Sequence, residues 1–337
     1  MNPNQVIKAI KSYSTFLITS HISLEGDALG SELALASLLR KLGKTAYIVN
    51  SGKTPSNYSF LPGVKKISRR FSNRAHQAVF IIDCSDRGRA GRIAGLIDAR
   101  KPVINIDHHI GNKNFGKINW VDPAASSTGE MIYRLFRFTR TKLDKKDALN
   151  IYTAILTDTG SFRHPNTTSN TLYICSRLLK FGINPAEIYA RIYENNSVRD
   201  AIYVAKIISR LSFAADNRIA WIKIKRPEFE EVKGKPELLD KILDFAKSIK
   251  IVKVVLIFCQ VDKRFIKLNL RSKSPIDVQK IASSFGGGGH RLASGCTIKG
   301  SLKEAEQMVL RQVKRALKTR YKIPACHSKY KAGEASD

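Results

Sequence analysis

Seven acidic and histidine side chains follow closely on short apolar segments of the chain, and an eighth ends a longer apolar segment. They are His21, Glu25, Asp27, Asp83, Asp107, His108, His109 and Asp158. Short apolar segments predict buried strands, and ligand sites in open α/β sheets lie outside the carboxyl ends of the strands. We therefore expect these side chains to meet at one edge of one sheet.

Carboxylate and neutral imidazole are ligands that suit a divalent ion such as manganese. Crowded together without a cation, such groups would repel or desolvate one another. Two metal ions roughly 3.5–4 Å apart can hold and deprotonate a bridging water and stabilise a leaving oxygen, which suits phosphoester hydrolysis. Singly, each residue has a plainer interpretation: a strand-end Asp as a helix N-cap, Asp-His-His as a surface turn, or His21 as a structural histidine. Their joint placement favours the metal site.

A second signal is the glycine-rich segment FGGGGHRLASGC at residues 285–296. Consecutive glycines leave backbone amides open to close approach, and amide clusters bind anions. His290 adds a further donor. No Gly-Lys-Ser/Thr follows, and a helix is predicted before the segment, so it is neither a Walker loop nor a dinucleotide fingerprint. A flexible turn is the alternative interpretation.

Strands and helices alternate along the chain, which predicts an α/β fold with a mostly parallel sheet and flanking helices. We expect strands at 15–20, 45–50, 77–82, 102–106, 219–224, 252–259 and 265–270. We expect helices at 6–13, 28–42, 128–138, 145–156, 168–181, 188–208, 238–249, 278–285 and 302–320. The predicted domains are a catalytic metal-binding domain (1–190), a helical connection (191–214), a smaller α/β substrate-binding domain (215–320) and a disordered tail (321–337).

Lys and Arg number 58 against 28 Asp and Glu, a net charge of +30. Such an excess attracts polyanions, although a solvated basic surface is the alternative. The five cysteines are odd in number and lack close spacing, which argues against a disulfide framework and a structural zinc site. With no signal-peptide pattern and no run of 18 apolar residues, the sequence indicates a cytoplasmic protein away from the membrane.

The acidic and histidine segments resemble the ordered motifs of the DHH phosphoesterases, a family named for the triplet found here at Asp107-His108-His109. HISLEGD, VFIID and TDTGSFRH match further motifs, and VDPAASSTGE and NYSFLPG are also similar to the family. LRSKSPIDVQKIASSFGGGGHRLASG resembles the DHH-associated domain that accompanies the catalytic one. The resemblance covers about residues 5–320.

The resemblance implies a division of ligands between two divalent metals, with Mn²⁺ expected and Mg²⁺ as the alternative. One metal would take His21, Glu25 and Asp83, and the other would take Asp27, Asp83, His108 and Asp158. Asp83 would bridge, His109 would face the substrate, and Asp107 would orient a neighbouring histidine. The family normally has Asp at the position of Glu25, so the geometry of the first metal site must shift.

In the DHH-associated domain, the resemblance implies that Arg271 and the glycine-histidine loop hold a terminal phosphate or a nearby substrate group. The expected set is Arg271, Ser272, Gly287, Gly288, Gly289 and His290. A guanidinium can fork to two phosphate oxygens, which suits the arginine to this role.

Size and domain order look most like the NrnA-type enzymes, which degrade very short RNA and convert 3′-phosphoadenosine 5′-phosphate to AMP. Short RNA and nucleoside bisphosphates are therefore the expected substrates, and a homodimer is compatible with the sequence. The alternatives are a linear or cyclic dinucleotide phosphodiesterase, a RecJ-like single-strand exonuclease, a nucleic-acid-binding protein with a decayed active site, and a structural protein that uses metals only for folding.

Overall fold

The computed structural model describes residues 3–71, 76–233 and 235–320, and the chain forms two compact units, Met1–Asn195 and Asn196–Asp337. The predicted disordered tail, 321–337, lies outside the described residues. Each unit contains its own sheet and its own hydrophobic cores. The predicted α/β class, with a second and smaller α/β domain, is confirmed.

The first unit contains a five-stranded sheet in which every neighbouring pair is parallel. Its strands are β1 (Thr15–Thr19), β2 (Thr45–Ile48), β3 (Ala78–Ile82), β4 (Val103–Asp107) and β5 (Ile118–Val121), in the order β2-β1-β3-β4-β5. The central strands are buried on both faces, which explains their continuous apolar sequences. We did not predict β5, because its four residues are mostly half-exposed and give no long apolar run.

The helices of the first unit are α1 (Asn4–Ser12), α2 (Gly26–Lys41), α3 (Arg92–Leu96), α4 (Thr128–Phe138), α5 (Lys145–Asp158), α6 (Ser169–Leu179) and α7 (Pro185–Tyr193). The buried side chains of α2, α4 and α5 form the main core against one face of the sheet. A smaller core on the opposite face contains Ile93 of α3.

The second unit has a mixed six-stranded sheet in the order β10-β11-β9-β8-β7-β6. Its elements are α8 (Val198–Ile208), β6 (Ser212–Ala214), β7 (Ile219–Ile224), α9 (Arg226–Val232), α10 (Pro236–Ser248), β8 (Val254–Gln260), β9 (Phe265–Ser272), α11 (Val278–Ser283), β10 (Gly288–His290), β11 (Ala293–Lys299) and α12 (Leu302–Arg320). Among the described strands of this second sheet, only β7 and β8 pair in parallel. One apolar core contains residues of α8 and α10, and another contains residues of α11 and α12.

The single helix predicted over 188–208 is two helices, α7 and α8. Ser197 begins the second helix by accepting a hydrogen bond from the backbone N–H of Asp200, and the Asp200 side chain accepts one from Ser197 in return. This capping box was present in the sequence as Ser-x-x-Asp and favours a new helix start. Helix α8, predicted as part of a connection, packs against α10 of the second unit.

The glycine-rich segment is not entirely a loop, because Gly288–His290 pairs as a strand with β11. Strand β11 alternates buried Ser294, Cys296 and Ile298 with more exposed residues. That alternation was the available signal for a strand. We interpreted the glycines beside it only as an open loop, and so missed both β10 and β11.

The four cysteines in the described part of the chain, Cys84, Cys175, Cys259 and Cys296, are buried free thiols. None of the described helices is both long and apolar enough to cross a membrane.

Helices α2 and α5 approach each other closely at Gly30. A Cβ atom added there would lie 2.3 Å from the carbonyl oxygen of Asn150, a backbone atom that cannot move aside independently. We expect Gly30→Ala to lower the free energy of unfolding by about 1–3 kcal/mol through overpacking, as measured by urea denaturation. Gly95→Ala in α3 is the matched control, because nothing lies within 4 Å of its Cβ position. Equal stability of the two variants would contradict this account.

Candidate active site

The carboxyl ends of β1, β3 and β4 deliver the polar side chains of the site. His21 follows β1, Asp83 follows β3, and Asp107 is the last residue of β4. Because these strands are parallel neighbours, their carboxyl ends share one edge of the sheet. Asp83 has a φ of +52°, in the left-handed region that few non-glycine residues occupy. Such strain costs on the order of 1–3 kcal/mol and is typical of functional sites.

Three groups of side chains at this edge could each hold a metal ion, with ligand atoms within 4.8 Å of one another. The groups are His21, Glu25 and Asp83; Asp27, His108 and Asp158; and Asp83, His108 and His109. All eight acids and histidines singled out in the first unit therefore lie in or beside one cluster. Glu25 is its most exposed member, with 59% of its side chain accessible.

Asp83 lies between the groups and directs its two oxygens to different partners. Oδ2 is 3.3 Å from Nε2 of His21. Oδ1 lies 3.9 Å from Nε2 of His108 and from Nδ1 of His109, and it accepts a hydrogen bond from the hydroxyl of Thr128 at 3.2 Å. A carboxylate placed in this way can serve two metal ions at once.

Asp27 is buried and is held by the amino terminus of α4. The backbone N–H groups of Thr128 and Gly129 donate to its two oxygens at 2.7 and 2.8 Å, and the hydroxyl of Ser31 donates at 3.0 Å. The helix dipole favours a negative charge at this position. Its Oδ2 lies 3.7 Å from Nε2 of His108. The motif 121–130, to which we gave no role, supplies these backbone donors.

His109 is fixed by Asp107. Its Nδ1 lies 2.6 Å from Oδ1 of Asp107, a fully buried carboxylate whose other oxygen accepts from the Asn112 amide at 2.5 Å. Burial alone would lower the pKa of His109, but the hydrogen bond to Asp107 and the nearby charge of Asp83 raise it to about 9. A histidine in this state is a cation and a hydrogen-bond donor at neutral pH.

The carboxylates of the cluster oppose one another in the absence of a cation. Burial, together with the charges of Asp83 and Asp158, raises the pKa of Asp27 well above its usual value. Burial and the charges of Asp83 and Glu25 do the same to Asp158. Burial would also raise the pKa of Asp83, but His21 and two further histidines bring it below its usual value. A divalent cation would remove this repulsion, so the donor set fits a metal centre.

Asn166 is a supporting residue that we did not identify from the sequence. Its amide donates to Oδ2 of Asp158 at 3.1 Å and to the carbonyl of Ser126 at 2.8 Å. Glu130 in turn accepts from the Ser126 hydroxyl at 2.7 Å and from the Asn170 amide at 2.8 Å. These contacts join the end of α5 to the loop before α4. They have no short sequence pattern that could have revealed them.

In the second unit, Arg271 is the only predicted cation of the substrate-binding set whose side chain the structure describes. It lies near the end of β9 and donates from Nη2 to Oδ1 of Asp240 at 2.7 Å and from Nη1 to the carbonyl of Leu270 at 3.2 Å. Ser272 is buried, and its hydroxyl donates to the carbonyl of Ile276 at 2.8 Å, so it supports the following turn. The side chain of His290 lies outside the described part of the chain.

The glycines in and just before β10 have different surroundings. Cβ atoms at Gly287 and Gly289 would meet backbone of β11 at 2.3 and 2.7 Å, so both positions require glycine for packing. Gly289 also has a φ of +137°. At Gly288 nothing lies within 4 Å of the Cβ position. The strand is at the edge of its sheet, where one row of backbone groups lacks a partner strand in the described part of the chain.

A parallel sheet with acid-and-histidine clusters at its strand ends, followed by a second α/β unit with a glycine-rich edge, is the architecture of a metal-dependent phosphoesterase. The DHH family N-terminal domain matches residues 15–157, and the DHHA1 domain matches residues 228–319. The chain belongs to the DHH family of phosphoesterases, and the resemblance inferred from its motifs is confirmed.

Named relatives agree with this assignment over nearly the whole chain. The bifunctional oligoribonuclease and PAP phosphatase NrnA of Thermus thermophilus is 32% identical over 93% of this chain and 93% of its own length. The protein of the same name from Bacillus subtilis is 29% identical over 90% of this chain and 96% of its own length. The structure of an exopolyphosphatase-related protein from Bacteroides fragilis is 26% identical, with a TM-score of 0.87 over 95% of this chain and 97% of that one.

Glu32 is a buried acid of α2 that the cluster does not include. Its Oε2 accepts a hydrogen bond from the Asn50 amide at 2.7 Å, while Oε1 has no hydrogen-bond partner in the described part of the chain. Burial raises its pKa to about 8, and the nearby charge of Asp83 adds to the shift despite the Asn50 hydrogen bond. The folded protein therefore holds a proton on Glu32 that the unfolded chain releases at a lower pH.

We expect Glu32 to make the protein less stable as pH rises. Its contribution is fully present below the unfolded pKa and is lost as pH rises through about 8, with a slope of up to about 1.4 kcal/mol per pH unit. Urea unfolding in EDTA from pH 5 to 9 should show Glu32→Gln gaining stability relative to the unmodified protein as pH rises. Glu187→Gln, an exposed acid on α7, is the control. Parallel curves for Glu32→Gln and the unmodified protein would refute the assignment.

Proposed function

We propose that this phosphoesterase hydrolyses short oligoribonucleotides to mononucleotides and 3′-phosphoadenosine 5′-phosphate to AMP, using two divalent metal ions. The observation that carries the proposal is the placement of Asp83, whose two oxygens face two different sets of potential ligands. The substrate class follows the names of the two NrnA relatives, whose matches cover 93% and 90% of the chain. The four buried free thiols support a reducing compartment such as the cytoplasm.

The ligands divide between two positions. His21, Glu25 and Asp83 would hold one metal ion, and Asp27, Asp83, His108 and Asp158 would hold the other. The first set is one of the three geometric groups, and the second adds Asp83 to the group of Asp27, His108 and Asp158. Oxygen and imidazole ligands of this kind fit Mn²⁺, with Mg²⁺ as the alternative. When bound, such a pair of ions supplies an activated water and neutralises charge on the phosphate.

The protein's own groups orient the reaction. Asp107 fixes the ring of His109 through Nδ1, so Nε2 is the nitrogen that would face the substrate. When protonated, His109 can donate to a phosphate oxygen or supply a proton near the leaving oxygen. Asn166 and the amides at the start of α4 hold Asp158 and Asp27 in place. Hydrogen bonds of this kind orient carboxylates toward a metal ion.

The second unit holds the part of the substrate that does not react. Arg271 uses one donor on Asp240 and one on a backbone carbonyl, and a guanidinium has five N–H donors. Donors therefore remain for a terminal phosphate while Asp240 keeps the side chain oriented. The open side of β10 at Gly288 gives a substrate close access to the backbone. Binding energy from such remote contacts positions the reacting group.

Asp83→Asn should remove most of the Mn²⁺-dependent turnover and of the stabilisation by Mn²⁺, because both metal ions would lose a shared ligand. We expect turnover of a 5′-labelled RNA dinucleotide with Mn²⁺ to fall more than about a hundredfold. That loss exceeds what is typical when a residue that only hydrogen-bonds to a metal ligand is replaced. We also expect Mn²⁺ to raise the Tm of the unmodified protein, and this rise should disappear in Asp83→Asn.

Asp98→Asn, which alters an acid outside the cluster, should keep both the turnover and the Mn²⁺-dependent rise in Tm. Near-normal turnover of Asp83→Asn would overturn the ligand assignment. Failure of the unmodified protein to cleave either the dinucleotide or 3′-phosphoadenosine 5′-phosphate would overturn the proposed substrates.

Arg271→Ala should mainly affect substrates that carry a terminal phosphate. A charged hydrogen bond is worth about 1.5–3 kcal/mol, so kcat/KM on a 5′-phosphorylated dinucleotide should fall about ten- to a hundredfold. A 5′-hydroxyl dinucleotide should lose much less, because it never made the contact. Arg264→Ala in the turn before β9 is the matched control, and its kcat/KM should be unchanged on both substrates. Equal losses on both substrates would show that Arg271 does not recognise the terminal phosphate.

A further inference from the structure

The first unit contains a basic cavity at the end of α4 that is remote from the strand-end cluster. Its volume is about 710 Å³, and half of its ten lining residues are Lys or Arg: Arg137, Arg140, Lys142, Arg177 and Lys180. The amino-terminal residue of α4, Thr128, contacts the cluster, whereas Arg137 lies nine residues further along the helix. At 1.5 Å per residue, roughly 13 Å of helix separates the two.

The cations of the cavity have no acidic partners in the described part of the chain. None of the five forms an ion pair within the residues that the structure describes, and no acidic residue lines the cavity. Asp144 and Asp147, which follow in sequence, both pair with Lys41. All five cationic residues are exposed. Five like charges gathered around one cavity repel one another, and an anionic ligand would relieve that repulsion.

Arg140 occupies a position where glycine is the favoured residue. Helix α4 ends in a Schellman motif, with the N–H of Thr141 donating to the carbonyl of Phe136 and the N–H of Arg140 donating to that of Arg137. Arg140 has the φ of +55° that this motif requires, and glycine fills that position in many helices. A side chain there is strained. The strained residue therefore contributes a cation to the cavity at some cost in stability.

We propose that this cavity binds the phosphate groups of a nucleotide at a site separate from the metal centre. Three guanidinium groups can each fork to two phosphate oxygens, and the two lysines add point charges. Tyr133, Phe136 and Phe181 supply apolar surface, and the volume is in the range of small-molecule sites. A free nucleotide and the terminal nucleotide of an RNA share this chemistry.

The test is calorimetric titration of the full-length protein with ATP and with a 5′-phosphorylated RNA trimer, in EDTA so that the metal centre is unloaded. The double variant Arg177→Gln/Lys180→Gln should weaken binding of at least one of them by at least about tenfold. Loss with ATP identifies a free nucleotide as ligand, and loss with the trimer alone identifies RNA. Dinucleotide turnover with Mn²⁺ should stay unchanged.

The matched control is Lys8→Gln/Lys11→Gln, which removes two exposed cations from α1. Lys11 lies in the last turn of α1, just as Arg177 lies in the last turn of α6. It should weaken binding less than about twofold. Absence of binding, or equal losses in the two double variants, would overturn the proposal by showing no site or only a diffuse effect of net charge. A matching fall in dinucleotide turnover would place the cavity within the active site and would also overturn it.

Arg140→Gly separates binding from folding. Glycine removes the left-handed strain, so Tm should rise by about 2–4 °C, while the affinity for the same ligand should fall because a cation is lost. A variant that is more stable and binds less tightly cannot owe its weaker binding to unfolding. Unchanged affinity in Arg140→Gly, together with unchanged affinity in Arg177→Gln/Lys180→Gln, would rule the site out.

Discussion

The repulsion among buried and half-buried carboxylates at one sheet edge is the constraint on which the rest of the first unit depends. Asp27, Asp83 and Asp158 lie close enough to raise the pKa of two of them, and Asp83 does so from a strained backbone conformation. No packing arrangement removes such a cost, so it must be met by directed donors and by cations. The amides at the start of α4, the imidazoles of His21 and His108, and the divalent ions on which the family depends all meet that need.

Close helix packing makes those donors available in the right place. α2 carries Asp27, α4 offers its first amides, and α5 ends at Asp158, so the spacing of the three helices sets the spacing of the ligands. Small residues permit the contact: a Cβ at Gly129 would lie 2.4 Å from that of Ala154. A larger side chain would move the amides and the carboxylate they hold together. The packing of the three helices in the core of this unit therefore also determines the geometry of its site.

Much of this arrangement was predictable because a buried strand is visible in the sequence as a short apolar run, and the acids and histidines that follow it are visible directly. Four of the five strands of the first sheet and all eight acids and histidines followed from apolar runs and their endings. The supporting contacts did not, because they join residues that no periodic pattern links: Asn166 reaches back to Ser126, and Arg271 meets Asp240 from another element. The edge strand β10 was also missed, since its glycines look the same whether they serve packing or an open loop.

The net charge of +30 and the acidic cluster have opposite effects on a phosphate group. A basic surface attracts phosphates from a distance, with a range set by the Debye length of about 8 Å at physiological salt. At the cluster itself the sign is reversed, because carboxylates with few counter-charges repel a phosphate. Divalent cations seated among Asp27, Asp83 and Asp158 would change that local sign. In the proposed function, the basic surface gathers substrate in any state of the protein, whereas productive contact depends on the loaded metal centre.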